Sequence, residues 1–174
     1  DPGDPNGHGT HVAGLAAAVG GNGEGIIGAA PEAALLPVRV LRPDGSGSAR
    51  TIADGVDWAV ARGARVVNLS LGGGGLTPAL FRNGPLNRAV RNAAARGVVV
   101  VAAAGNDAVT ERAYRPGVPV VVVNATDAGG APAPFSTFGD PSAVSAPGVD
   151  LVSTTPIAPT TRWPPRVPPN WAPP

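Results

Sequence analysis

The chain has neither cysteine nor methionine. Lacking cysteine, it has no disulfide framework and no thiolate nucleophile, and the redox compartment stays open. Lacking methionine, it is expected not to begin where translation began, with any targeting segment removed or outside it. Lysine is missing too: all 13 basic residues are arginine, and against 12 acidic residues they leave a net charge of +1. That balance supplies no clustered positive field for nucleic acid. Charged residues are only 14% of the chain and aromatics 4%, but hydrophobic residues reach 43% at a mean hydropathy of +0.10. A disordered, charge-dominated chain is thereby excluded over most of the length. The longest apolar run, between Gly97 and Gly105, falls far short of the roughly 18 residues that span a bilayer. No nucleic acid and no membrane span are expected among its partners.

Glycine and proline are abundant, at 25 and 21 of 174 residues. Such a level suggests low complexity unless hydrophobic runs surround it, and here they do. A chain of this length buries roughly 70% of its unfolded surface around one core. Ala-rich His11 to Val19 predicts a helix stopped by Gly20 and Gly21. Ala33 to Leu41 reads as a buried strand closed by the turn Pro43-Asp44-Gly45. Ser48 caps a second helix with Ile52, Val56, Ala59 and Val60 on one face, ending near Gly63, and Arg65 to Leu71 is the next strand.

A four-glycine loop, Gly72 to Gly75, leads on to a third helix. It opens at Pro85 and carries Leu86, Ala89, Val90, Ala93 and Ala94 at helical spacing before Gly97. Val98 to Ala104 is continuously apolar, the mark of a strand covered on both faces, and Val118 to Val123 and Val149 to Ser153 read as further strands. Strands alternating with helices predict an α/β fold of three layers, a mostly parallel sheet flanked by helices. Eight of the nineteen residues from Pro156 to Pro174 are proline, so this tail is expected to be irregular. The division is then 1–155 and 156–174.

His8 and His11 are the chain's two histidines, in Gly7-His8-Gly9-Thr10-His11. Their spacing suits a metal pair, but a catalytic metal wants a third ligand and a supporting carboxylate, and no HExxH is present. They better suit a helix start with one imidazole satisfied in the core. A helix N-terminus disfavours imidazolium, which would keep His8 neutral and able to accept a proton near pH 7. Gly105-Asn106-Asp107 follows the strand Val98 to Ala104, at the carboxyl end where open parallel sheets place their sites. It reads as a turn, or as a site where the Asn106 amide donates to a developing oxyanion.

Taken in order, the segments His8 to Gly14 (HGTHVAG), Gly28 to Pro31 (GAAP), Asp44 to Ser48 (DGSGS), Asn68 to Gly73 (NLSLGG), Val98 to Asn106 (VVVVAAAGN), Phe135-Ser136 with Gly139, and Ala146-Pro147-Gly148 resemble the subtilisin-like serine proteases, the subtilase family. The resemblance covers roughly residues 4 to 155. It implies that His8 is the catalytic general base and Asn106 the oxyanion-hole side chain. By the same resemblance Gly45, Ser46 and Gly47, with Ser70, Leu71 and Gly72, grip an extended substrate, and Ala103, Ala104 and Gly105 floor the specificity pocket. It also implies a structural calcium ion in the loop Gly20 to Ile26, with Asn22 at a ligand position; the chemistry itself requires no cofactor.

The chain departs from the family at two places. The catalytic Asp belongs to an Asp-Thr/Ser-Gly strand end roughly thirty residues before the His, whereas seven residues precede His8 here. The nucleophile belongs to a GTSMA segment, which is absent; Ser153 matches the strand end before that segment and is not expected to be the nucleophile. The resemblance implies the central part of a secreted, extracellular, monomeric serine endopeptidase acting on peptides or proteins, inactive as this incomplete chain. The alternatives are a non-catalytic subtilase-like domain that binds extended peptides, and a metal-dependent hydrolase using His8 and His11.

Overall fold

The structure, a computed structural model, describes residues 3–72, 84–110 and 117–156. In chain order its elements are α1 (His8–Ala17), α2 (Ala49–Ala61), β1 (Val66–Leu69), α3 (Pro85–Ala95), β2 (Val99–Ala103), β3 (Val121–Thr126) and β4 (Val144–Pro147). The strands form one sheet in the order β1-β2-β3-β4, and every pair is parallel. The tail 157–174 and part of the four-glycine loop lie outside the described residues.

Both middle helices form as their patterns predict. Ser48 caps α2 by accepting a hydrogen bond from Thr51 N–H, and Ile52, Ala53, Val56 and Ala59 turn inward. Pro85 opens α3, where its missing N–H costs nothing, and Leu86, Ala89, Val90 and Ala93 are buried. These two faces close on each other and on Leu69, Val98, Val100, Ala102 and Val122, which makes the core.

Parallel crossovers are right-handed, so strands added steadily in one direction put their connections on one face of the sheet. The order β1-β2-β3-β4 never reverses. Accordingly α2 and α3 cover one face, while Val66, Val99, Val121 and Val144 stay exposed on the other. The expectation that Val98 to Ala104 is covered on both faces holds for one of them. A second layer of helices would need the order to reverse.

Three strand assignments are corrected. Ala33 to Leu41 contains no strand; Val38 and Val40 lie against Gly55 of α2, and the segment joins no ladder. The third ladder strand starts at Val121 rather than Val118, because Pro119 has no N–H to pair and Val120 N–H turns back to Val118 O at 2.9 Å. The last strand is Val144–Pro147 rather than Val149 to Ser153. Asp150 takes a left-handed φ of 54° there, and Ser153 and Thr154 hydrogen-bond to α1 instead of a ladder.

Candidate active site

Helix α1 begins three residues before the predicted start, so His8 is its first residue. The N-cap, Gly7, has φ 89° and no side chain with which to cap. Asp4 does the capping from further back. Its Oδ1 accepts from Gly7 N–H at 2.9 Å, and its Oδ2 accepts from Thr10 N–H at 2.7 Å and from the Thr10 hydroxyl at 2.8 Å. Burial pushes the Asp4 carboxyl up, but the bonds from Thr10, Gly7 and Asn6 outweigh it and hold the group below its ordinary value.

His8 is half-buried. Burial lowers its pKa most; the Asp4 carboxylate opposes that and His11 adds to it, with a net downward shift. The downward shift is in the direction expected from the sequence, with desolvation as its leading cause. Among the described residues no three His, Asp or Glu side chains gather at one point, so His8 and His11 lack the third ligand a metal would want.

The first of the two predicted substrate-gripping segments meets Asn6, two residues before His8. Asn6 Nδ2 donates to Pro43 O at 3.0 Å and stands 3.8 Å from where a Cβ on Gly45 would be. The turn itself is closed by Gly45 N–H to Arg42 O at 2.9 Å and Arg42 N–H to Ser46 O at 2.8 Å. Ser46 N–H donates to Asp44 Oδ1 at 2.9 Å, so both backbone groups of Ser46 are used within the turn. On Gly47 a Cβ would meet the tip of the Leu41 side chain and lie 3.2 Å from Val40 O.

The second segment meets the expected pocket floor. A Cβ on Gly72 would lie 3.4 Å from Gly105 Cα, so the chain after β1 and the chain after β2 touch at the carboxyl edge of the sheet. Asn68 Nδ2 donates to Ser70 Oγ at 2.9 Å, and Leu71 packs on the core. Gly105 has φ 114°, and a Cβ there would press on Thr137. Ala103 ends β2 and Ala104 is buried.

Asn106 sits half-buried between two residues held by Thr137. Thr137 N–H donates to Gly105 O at 2.9 Å, and Thr137 Oγ1 accepts from Asp107 N–H at 3.2 Å. Neighbouring Ser136 accepts from Ala125 N–H at 3.0 Å. Both hydroxyl residues are fully buried, so the loop that presents Asn106 is fixed from the far side of β3. Sequence reading missed Thr137 and Asp4. An Asp ahead of a glycine-headed helix with a Thr at its third position was the available signal for Asp4; the phase of Thr137 within Phe135 to Gly139 gave none.

Asn22 stands apart from both clusters, beyond the other end of α1. Its Oδ1 accepts from Glu24 N–H at 3.1 Å, and Glu24 is the one carboxylate in Gly20 to Ile26. Calcium takes 6–8 oxygens, generally several of them carboxylate. The residues present do not make such a cage. The loop instead returns the chain to α1: the N–H groups of Gly28, Ala29 and Ala30 donate to Ala18, Leu15 and Ala16 carbonyls at 2.8–2.9 Å. Any side chain on Gly28 would run into the backbone of Ala17 and Ala18.

A family model described as the subtilase family matches residues 1–166. Thermitase of Thermoactinomyces vulgaris is 44% identical over 158 residues, which cover 90% of this chain and 54% of that protein. Subtilisin DY of Bacillus licheniformis is 42% identical over 158 residues, covering 88% and 55%. Among solved structures, the prenylagaramide maturation protease PagA superposes with a TM-score of 0.71 at 28% identity, over 86% of this chain and 55% of that one. The chain thus spans about half the length of the curated relatives it matches.

Proposed function

Because the chain belongs to the subtilase family, we propose that it is the central part of a secreted serine-type endopeptidase whose catalytic Asp and nucleophilic Ser lie in segments outside this sequence. The observation that supports this most is His8, a half-buried imidazole on the first turn of α1 with a depressed pKa. A general base must be neutral when its substrate arrives.

In the parent protein the Ser hydroxyl attacks the scissile carbonyl carbon while the His8 imidazole takes its proton. The carbonyl oxygen becomes an oxyanion, to which the Asn106 amide donates, and His8 then gives the proton to the leaving amine. Water repeats the cycle on the acyl-enzyme and frees the acid. An extended substrate lies along Gly45 to Gly47 and Ser70 to Gly72. Since Ser46 has spent its N–H and C=O within the turn and Gly45 its N–H, the Gly45 carbonyl and Gly47 carry that segment's backbone contacts. Ala103, Ala104 and Gly105 keep the pocket floor free of bulk. The same outside segments cover the bare sheet face.

The test compares this chain alone with the parent protein. A fluorophosphonate should label one Ser in the parent and none in the 174-residue chain. A parent that binds peptides in equal stoichiometry but is neither labelled nor able to cut them would replace the protease reading with that of a non-catalytic binding domain.

A further inference from the structure

We propose that Asp4 on one side and Ser153 with Thr154 on the other clamp the first turn of α1 and are positioning residues for His8. The inference rests on the reading of His8 as the general base. A helix's first N–H groups have no partner within the helix. In α1 the Asp4 carboxylate ties down Gly7 and Thr10 N–H, and the Thr10 hydroxyl with them.

The opposite grip comes from the segment after β4, more than 140 residues away. Ser153 Oγ donates to His11 O at 2.6 Å, and Thr154 Oγ1 donates to Thr10 O at 2.8 Å. Carbonyls this early in a helix are ordinarily satisfied by the N–H four residues on, so the hydroxyls add second bonds to them. Gly14 makes the approach possible. Any side chain there would collide with Ser153 Oγ and Thr154 Oγ1, and Gly14 is the one residue of α1 that is fully buried. Thr10 is gripped from both sides, at its N–H and hydroxyl by Asp4 and at its carbonyl by Thr154. His8 lies within the turn so held, two residues before Thr10 and three before His11. The charged and titratable groups around it are Asp4 and His11 from its own segment; Arg39, from Ala33 to Leu41, donates to Gly3 O at 3.1 Å.

The arrangement links the base to the chain that follows β4. A misplacement of about 1 Å in a catalytic group costs up to 10²-fold in rate. The test uses the parent protein with a peptide substrate. Thr154→Val keeps the shape and removes the hydroxyl; it should lower kcat about tenfold with KM unchanged, and Thr154→Ser should restore kcat. Asp4→Asn should lower kcat and also move the acid limb of kcat/KM to lower pH, because the carboxylate favours the imidazolium. A residue that merely stabilised the fold would lower the thermal midpoint and leave the kcat of the folded enzyme and its acid limb in place. That result, or Thr154→Val with normal kcat, overturns the clamp. Should Asp4→Asn not fold, the Thr154 pair decides. Should the parent prove to have no peptidase activity, the reading of His8 as base fails, and the clamp is judged by NMR. The His8 resonance, assigned by its loss in His8→Gln, must titrate at lower pH in Asp4→Asn, and an unchanged titration sinks the clamp.

Discussion

The two faces of the β1–β4 sheet are built from the same residues and meet opposite fates. On one, Val100, Ala102 and Val122 are at most 2% exposed beneath α2 and α3. On the other, the register sets Val66 beside Val99, Val101 beside Val121 and Val123 beside Val144, and four of these six are exposed, Val66 at 61%. Full burial of a valine contributes roughly 1.5–3 kcal/mol, against a typical domain stability of about 5–15 kcal/mol. A row of such residues in water is a large forfeit. The chain is thus written for a sheet with two covered faces, of which α2 and α3 supply one cover.

The largest effect expected from restoring the other cover is on catalysis. By the proposed reading, the segments that close the bare face also bring the Ser and the Asp. Turnover of a peptide substrate should therefore differ by about 10⁶ between the parent protein and this chain alone; the magnitude was set by removing the nucleophile of a subtilisin, a relative of this chain. The chain alone should also aggregate or unfold without a sharp transition. A soluble monomer with a cooperative melt would show that the bare face needs no cover.

Next in size is Asn106, which follows β2 at the edge where both faces end. If its amide donates to the oxyanion, the bond strengthens only as charge develops, so it speeds the reaction without tightening substrate binding. Asn106→Ala in the parent should cut kcat about 10²- to 10³-fold with little change in KM, again a range taken from a subtilisin. Normal turnover would return Asn106 to the role of a turn former.

A direct comparison of the faces comes from Val99 and Val100, neighbours in β2 that point opposite ways. In the parent, Val99→Ala and Val100→Ala should each cost about 2 kcal/mol in urea unfolding, since both would then be core. In the chain alone, Val99→Thr should raise the soluble fraction and Val100→Thr should lower it. A parent in which Val99→Ala stays within about 0.5 kcal/mol, the usual cost at a surface, would mean that nothing covers the second face.

How much of this was legible in the sequence depends on where each residue's partner lies. Helices α2 and α3 carry their reasons in their own spacing and caps, from Ser48 to Pro85, and were readable to within a residue or two. Strand β4 was not: Val144-Ser145-Ala146-Pro147 has one β-branched residue and ends in proline, and its pairing with β3 outweighs its weak propensity. Ala33 to Leu41 has strand composition and no ladder, because composition says nothing about a neighbour. His8 and Asn106 were singled out by the ordered motifs of the family resemblance, whereas the groups that hold their segments, Asp4 with Ser153–Thr154 and Thr137, act over separations that spacing does not encode. The shift at His8 runs in the direction read from the sequence, but its main cause is burial, which depends on the fold.

Ionisable groups divide the molecule along another line, and the smallest expected effect tests it. Among the described residues, the core under α2 and α3 buries no ionisable side chain, its polar member being Asn87, whereas the start of α1 carries His8 and the capping Asp4, both with lowered pKa values. For His8, a folded pKa below the unfolded 6.5 means that the unfolded chain binds a proton first. Stability is then full above pH 6.5 and declines as pH falls below it. For Asp4, depressed below 3.8, stability is present above that value and is lost as pH falls through the folded pKa. The two groups act in the same direction in successive windows. Amide exchange in the parent, corrected for intrinsic rates, should show Thr10 losing protection first below pH 6.5 and again below 3.8, while Val100 and Val122 keep theirs until global unfolding. In Asp4→Asn the second step should vanish. If Thr10 and Val100 lose protection together at every pH, the α1 turn is no separate unit and acid acts on the fold as a whole.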